Sequence, residues 1–430
     1  MRRTGSLMGV MLCAALAGCG RPAVPSSATL IPQALGASGT LDPAYGQQGL
    51  AQLPASRARL VGSTLQTNNQ VLVTVQSASS GRVASRVLRV TARGQADSSF
   101  GQAGSLVFPD ADVATAVICP DGANADNDWS AECADPQRPL VAWSTLSTER
   151  LTLARFLPSG QPDPTFGQQG QVTVAFSVGA VKAVAIQADG KIVVLGQAAL
   201  ARFRRNGAPD LSFGQGGRTA LPADPDAEVQ DLAMDDAERF LVLRTSATDT
   251  GNQTVVLRYT PAGQLDRRYG HAGSVTLDFG PLGMGRSLLL QDSGRLVIGG
   301  AGGLWRLRPD GTPDPGFGTA GHADYPDADH GGFDISDLAE DQNHRLVASV
   351  LTSERFRPDF KANLARFQRT GQLDSSFAAG GLSHVRVCDA CDISGGLAEF
   401  DAVHVLPSGR LLGAGTTGHG TTVMVARMYP

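Results

Sequence analysis

The chain has 430 residues and a formal net charge of −4 at pH 7, with only 18% of its residues charged and 52 glycines. So little charge, with no basic run or stripe, excludes a nucleic-acid surface built on phosphate contacts. Abundant glycine between short runs of Val, Leu, Ile and Ala points to an all-β fold with many tight turns.

Residues 1–18 read as an export signal. Arg2 and Arg3 form its basic start, and Leu7 to Ala17 form an apolar stretch too short to cross a bilayer as a helix. Leu16-Ala17-Gly18-Cys19 matches the bacterial lipobox, so Cys19 is expected to become the lipidated first residue of the mature chain. That predicts an extracytoplasmic protein of the bacterial cell envelope, held to a membrane by acylated Cys19; an ordinary cleaved signal with an incidental Cys is the alternative. Residues 19–40 are rich in Pro, Ala, Ser and Gly and read as a tether.

From Leu41 onward one unit recurs. An Arg stands eight residues before an Asp in six places: Arg89 and Asp97, Arg155 and Asp163, Arg202 and Asp210, Arg258 and Asp266, Arg306 and Asp314, Arg366 and Asp374. Asp42 lacks such an Arg and Arg427 lacks such an Asp, so a ring closed at its ends would pair them. The Asp recurs at intervals of roughly 55 residues, in the range of propellers and solenoids. Each interval divides into four strand-length pieces, clearest at Ala180 to Ile186, Lys191 to Leu195 and Leu200 to Arg204, with Asp189-Gly190 and Asn206-Gly207 as turns. The expected fold over residues 41–430 is a seven-bladed β-propeller of four-stranded blades, closed by Leu41 to Leu53 as the last strand of the C-terminal blade. A linear β-solenoid is the alternative, and it leaves the orphan halves unexplained. One role repeated in every blade reads as a fold requirement, so these Arg and Asp residues are assigned to structure: the Asp caps a turn and faces the guanidinium.

At Leu364-Ala365-Arg366-Phe367, Leu373-Asp374-Ser375-Ser376-Phe377, Leu265-Asp266-Arg267-Arg268-Tyr269-Gly270 and Asp189-Gly190-Lys191-Ile192-Val193-Val194-Leu195-Gly196, the sequence resembles the delta-60 repeat family of bacterial surface proteins. The resemblance covers 41–430 and implies a propeller-like repeat protein, with no established activity to carry over. Ala378 stands where the family pattern has Gly, and the second blade lacks a clean Asp-Gly hairpin.

The departures from the repeat supply the candidate sites. With Cys13 removed and Cys19 lipidated, Cys119, Cys133, Cys388 and Cys391 remain, an even number suited to two local disulfides in an oxidising compartment. The first two bracket an insertion in blade two, Asp121 to Trp129, whose oxygen ligands suit calcium. It is not an EF-hand loop, since Ala123 and Trp129 stand where a ligand and the Gly are required. A solvated acidic loop is expected there, with no cofactor, and Trp129 offers a stacking face for a sugar or peptide. Asp327, Asp329 and His330, with Arg355, Phe356 and Arg357 in a neighbouring long loop, mark blades five to seven as the most decorated surface. No nucleophile triad, carboxylate pair, nucleotide loop or metalloprotease motif has diagnostic spacing. The departures are loop insertions rather than unique polar residues converging on the axis. The expected function is therefore a binding or scaffold module for a protein or glycan. The alternatives are a propeller enzyme, hydrolase or quinone-cofactor dehydrogenase-like, using the loops of blades five to seven, and a self-associating envelope protein.

Overall fold

A computed structural model describes residues 36–55, 58–79, 82–109, 111–118, 138–145, 150–248, 251–280, 283–324, 333–352, 361–386, 399–417 and 422–430. Among these residues there are 28 strands and no helix. After β1 (Leu50–Pro54), the first unit holds β2 (Ala58–Leu65), β3 (Val71–Ser79), β4 (Arg82–Val90) and β5 (Ser105–Pro109). The second holds β6 (Ala111–Ile118), β7 (Arg138–Thr145), β8 (Arg150–Arg155) and β9 (Gln171–Val174), and the third β10 (Val181–Ile186), β11 (Ile192–Gly196), β12 (Ala199–Phe203) and β13 (Arg218–Ala220). The fourth holds β14 (Ala227–Met234), β15 (Phe240–Thr248), β16 (Gly251–Tyr259) and β17 (Ser274–Leu277), and the fifth β18 (Met284–Leu290), β19 (Leu296–Ala301), β20 (Gly303–Leu307) and β21 (His322–Asp324). The sixth holds β22 (Phe333–Glu340), β23 (Leu346–Thr352), β24 (Lys361–Phe367) and β25 (Leu382–Arg386), and the last β26 (Glu399–Val405), β27 (Leu411–Thr416) and β28 (Thr422–Met428).

All pairings within the units are antiparallel, as short turns between consecutive strands require. Unit three shows why the sequence folds this way. Gln187 and Lys191 close the first turn, with the Gln187 N–H on the Lys191 carbonyl at 2.8 Å, and Gly190 takes φ +79°. The Asp189 carboxylate caps the Lys191 N–H at 3.0 Å. The two middle strands, Ile192–Gly196 and Ala199–Phe203, are buried along their whole length because units pack on both of their faces. One such packing layer joins Leu153 and Phe166 of unit two to Val194, Ala201 and Phe203 of unit three.

The arrangement is an all-β propeller. The sequence predicts seven separate four-stranded blades, whereas five four-stranded sheets stand alone and β18–β25 form one eight-stranded sheet. The joint is a single pair, Ala301 with Asp334. Glycine explains the close approach: a Cβ on Gly299 would lie 2.7 Å from Ile335 Cγ2, so its absence lets β22 come up against β19. The first strands β2, β6, β10, β14, β18, β22 and β26 adjoin one another in a closed circuit and surround the axis.

The two ends meet in the last sheet, ordered β1-β28-β27-β26, with Leu50 opposite Ala426 and Leu53 opposite Val423. The closing strand begins at Leu50 rather than Leu41, which makes only an isolated bridge to Met428. Gly39 and Thr40 extend the seam through backbone hydrogen bonds with Tyr429, each 2.9 Å long.

Candidate functional site

The outermost of the two polar layers is the repeated Arg and Asp. In unit three, Arg202 Nε donates to Asp210 Oδ2 at 2.8 Å, and the Asp210 N–H donates to the Arg202 carbonyl at 2.9 Å. Asp210 Oδ1 caps the turn by accepting the Ser212 hydroxyl at 2.7 Å and the Ser212 N–H at 3.2 Å. The guanidinium carbon lies 4.8 Å from the centre of the Phe213 ring, so each aromatic side chain three residues beyond the Asp is sealed under a cation. The pairing recurs as Arg89–Asp97 at 2.7 Å, Arg155–Asp163 at 2.6 Å, Arg258–Asp266 at 2.8 Å, Arg306–Asp314 at 2.8 Å and Arg366–Asp374 at 2.7 Å. Across the chain ends, Arg427 Nε donates to Asp42 Oδ2 at 3.0 Å.

Six of these Arg side chains also reach out of their unit. Arg155 Nη1 donates to the Arg205 carbonyl at 3.2 Å, Arg306 Nη1 to that of Arg369 at 2.6 Å, and Arg427 Nη1 to that of Ala92 at 3.1 Å. These bonds fasten one unit to the next. A second guanidinium approaches the same carboxylate in several units: Arg138 on Asp163 at 2.6 Å, Arg295 on Asp314 at 2.9 Å, Arg345 on Asp374 at 3.4 Å and Arg410 on Asp42 at 2.9 Å. Burial works upward on the Asp163 pKa, but the Thr165 hydroxyl and N–H, Arg138 and Arg155 outweigh it and hold that carboxyl far below the usual range. The same balance lowers Asp97, Asp210, Asp314 and Asp374.

The inner layer is different in every unit. In six of the first strands the register with the second strand slips by one residue, inserting Val61, Lys182, Gln230, Arg286, Ser336 or Asp401; β6 pairs without a slip. Such a bulge breaks strict alternation and re-aims side chains, here about the axial channel. Ionisable groups gather on units four to seven. Arg286 Nε donates to Asp334 Oδ1 at 2.7 Å. Asp231 accepts the N–H of Leu232 and, from the next unit, of Leu288, both at 2.7 Å. Asp337 accepts the N–H of Leu338 and, again across a unit boundary, of Val403, both at 2.9 Å, with the Ser287 hydroxyl at 3.2 Å. Ser63 Oγ and His404 Nε2 lie 2.7 Å apart and carry the chain of contacts into unit one.

These carboxyls stand on the innermost strands and are half-buried. Burial pushes Asp231 up to about 7 against its two backbone hydrogen bonds, and Asp337 adds to the rise. Asp337 is pushed up to about 6 by the same desolvation. Asp401 reaches about 8 through burial and then the charge of Glu399, opposed by Arg59, and its Oδ2 is a buried atom with no hydrogen-bond partner. Burial, then Asp334, raises Glu399, while burial lowers His404 to about 4. The innermost strands therefore present Asp231 and Asp401, pushed up to about 7 and about 8, in the same layer as the His404 imidazole, pushed down to about 4, and the Arg286 guanidinium. Units one and three contribute Val61, Gly62, Lys182 and Ala183 at the matching stretch.

Polar residues unique to their unit do converge on the axis, which corrects the expectation that the repeat departs only through loop insertions. The sequence signal was Asp in mid-strand, where strand propensity disfavours it, at Asp231-Leu232-Ala233 and again at Asp337-Leu338-Ala339. Cys19, Cys119, Cys133, Cys388, Cys391, Trp129, Asp327, Asp329, His330, Arg355, Phe356 and Arg357 all lie outside the described residues, as do Asp121 to Asp128. Among the described residues, no group of three or more His, Cys, Asp or Glu is placed to hold a metal ion.

The chain matches a β-propeller domain of unknown function, DUF5122, at residues 187–213 and 291–317. Both matches run from the glutamine of the first turn to the aromatic residue beyond the Asp, Gln187 to Phe213 and Gln291 to Phe317. No curated protein matches. The computationally designed Ika8 protein is 13% identical, with 87% of this chain and 98% of that one covered at a TM-score of 0.40. The extracellular domain of the putative one-component system BT4673 from B. thetaiotaomicron is 9% identical at a TM-score of 0.42, with 87% of this chain but only 40% of that one covered. XC5397 from Xanthomonas campestris, described as a gluconolactonase, is 14% identical at a TM-score of 0.33, with 67% and 82% covered.

Proposed function

We propose that this is a seven-bladed β-propeller, carried outside the cytoplasm on acylated Cys19, that acts as a binding module for a protein or glycan ligand read at the polar half of its axial channel. The observation that carries the reading is the contrast between its layers. The outer Arg and Asp are the same from unit to unit, whereas the innermost-strand carboxyls that burial pushes upward, Asp231, Asp337, Glu399 and Asp401, belong to units four, six and seven. The count of seven is supported by the closed circuit of seven first strands, in which the eight-stranded sheet is two blades touching at one residue pair. Export and anchoring are supported by Leu16-Ala17-Gly18-Cys19 after a short apolar stretch.

A thermal-shift screen of the full chain in detergent against neutral, acidic and basic glycans and peptides tests the binding role. A ligand that binds only the folded state at a hundred times its Kd stabilises by about 2.7 kcal/mol. The reading expects at least one class to raise the melting temperature of the native chain and not that of Asp401→Asn. A screen without any such shift overturns it. Metabolic labelling with a fatty-acid analogue tests the anchor, and label retained by Cys19→Ala would exclude acylation there. The enzyme reading draws on Asp401, whose Oδ2 is a buried atom with no hydrogen-bond partner and whose carboxyl is pushed up to about 8 by burial. Turnover abolished by Asp401→Asn would favour it.

A further inference from the structure

We propose that the cleft at the seam between units one and two is a binding subsite for a neutral saccharide, separate from the axial channel. It encloses about 360 Å³, within the range of small-molecule sites, and opens to solvent. Its walls are aromatic. Phe108 of β5 lies 5.0 Å from Trp143 of β7 at an interplanar angle of 50°, and 6.3 Å from Phe156 at 79°. Gln169 and Gln171 stand at its rim.

The cleft coincides with the unit that departs most from the repeat. Unit two has the only first strand without a register slip among the seven. Trp143 occupies a position that is Val75 in unit one, Val350 in unit six and Gly196 in unit three, each three residues past the partner of the repeated Arg. Phe156, directly after that Arg, is only half-buried, whereas its counterparts Phe203, Tyr259 and Phe367 are sealed at 0%, 2% and 0% exposure. Val107, 56% exposed, adds a further apolar surface at the same place. A large ring has been introduced where neighbours use small side chains, and the packing around it leaves room instead of closing.

The lining identifies the ligand class. No lining residue is charged, which disfavours phosphates, carboxylates and cations. Aromatic faces favour the C–H face of a pyranose, and paired amides at the rim suit adjacent hydroxyls, each amide offering an acceptor and at least one donor, since Gln171 Nε2 also donates to Thr173 Oγ1 at 3.4 Å. The Trp143 indole N–H has no acceptor among the described residues, unlike that of Trp305, which donates to the Asp278 carbonyl at 3.0 Å. A saccharide hydroxyl could take up that donor. The apolar walls alone would also accept a proline-rich segment, but the amide rim and the unused indole donor favour the sugar.

Titration calorimetry of the full chain with cellohexaose, maltohexaose and chitohexaose tests the site, with decaproline as the competing probe. Trp143→Val installs the residue that units one and six already carry, so the fold should hold, and its melting temperature checks this. Gln171→Ala at the exposed rim is a second variant that leaves the core intact. The expected result is saturable binding of at least one hexasaccharide, weakened about tenfold or more by Trp143→Val. Gln171→Ala should weaken it and Asp401→Asn should leave it unchanged. No binding by any of the three sugars, equal binding by both cleft variants, loss on Asp401→Asn, or decaproline binding that Trp143→Val abolishes would each overturn the proposal. A failure here leaves the channel reading standing, since the two sites share no residue.

Discussion

The outer and inner polar layers of this propeller use the same residue types to opposite effect. In the outer belt each carboxylate is matched by at least one guanidinium and a turn of N–H donors, and its pKa falls. On the innermost strands Asp231 and Asp337 find backbone N–H groups but no cation among the described residues, Asp401 has a partnerless oxygen, and their pKa values rise. Charge that is fully compensated and identically placed in every unit serves closure of the ring. Charge that is under-compensated and differs between units has a stability cost that the fold does not require, which is the physical ground for placing function there.

The sharpest break of that comparison is Asp163→Ala. Asp163 is fully buried and holds Arg155 and Arg138 at 2.6 Å each, so its removal strands two guanidiniums. Breaking a buried pair in this way costs about 3 to 5 kcal/mol. A urea midpoint shifted by this much is expected, and a midpoint unchanged would mean that the belt does not hold the ring. Replacing a channel carboxyl should not have this effect.

The two layers also predict opposite limbs of a stability profile against pH. A belt carboxyl with a depressed folded pKa contributes stability above its ordinary value of 3.8 that is lost as pH falls through the folded value. A channel carboxyl with a raised folded pKa contributes stability that is full below 3.8 and lost as pH climbs through about 7 for Asp231 and about 8 for Asp401. Asp401→Asn removes one ionisation and keeps the shape of the side chain. Relative to that variant, the native chain should lose about 1 to 3 kcal/mol between pH 4 and pH 9, a range set below the full shift because channel water screens the charge. Chemical denaturation at several pH values measures it, and parallel profiles would show that Asp401 is ionised throughout.

The belt was legible in the sequence for a local reason. Arg202 and Asp210 face each other across one turn, so their spacing is a property of the turn and survives in every copy. The closure was legible through its orphans, Asp42 and Arg427, which meet although 385 positions separate them. The inner ring was not legible, because a bulge shifts the two-residue period and hides which way Arg286 or Asp401 points. Its partners also lie on other units: Arg286 meets Asp334, and Ser63 meets His404 across the whole chain. The second guanidiniums, Arg138, Arg295, Arg345 and Arg410, escaped notice because they enter from the second strand or its approach, at no fixed distance from the Asp.

Those second guanidiniums allow the smallest and most discriminating test. Asp42 holds Arg427 at 3.0 Å and Arg410 at 2.9 Å, and Arg410 also lies 4.1 Å from the centre of the Tyr429 ring. Arg427 is the more buried of the two and ties the seam together a second time, since the Asp42 N–H donates to its carbonyl at 2.8 Å. Arg410→Ala leaves that carboxylate with a cation and a turn N–H, so the loss should be that of a partly exposed pair, about 0 to 1 kcal/mol. Arg427→Ala should cost more, because it also breaks the bond to the Ala92 carbonyl on which the neighbouring unit depends. Equal losses in denaturant midpoint for the two variants would mean that the seam is held by charge around Asp42 as a whole. Unequal losses, with Arg427 ahead, would mean that the belt acts through its links between units and that the second guanidinium is only a local supplement.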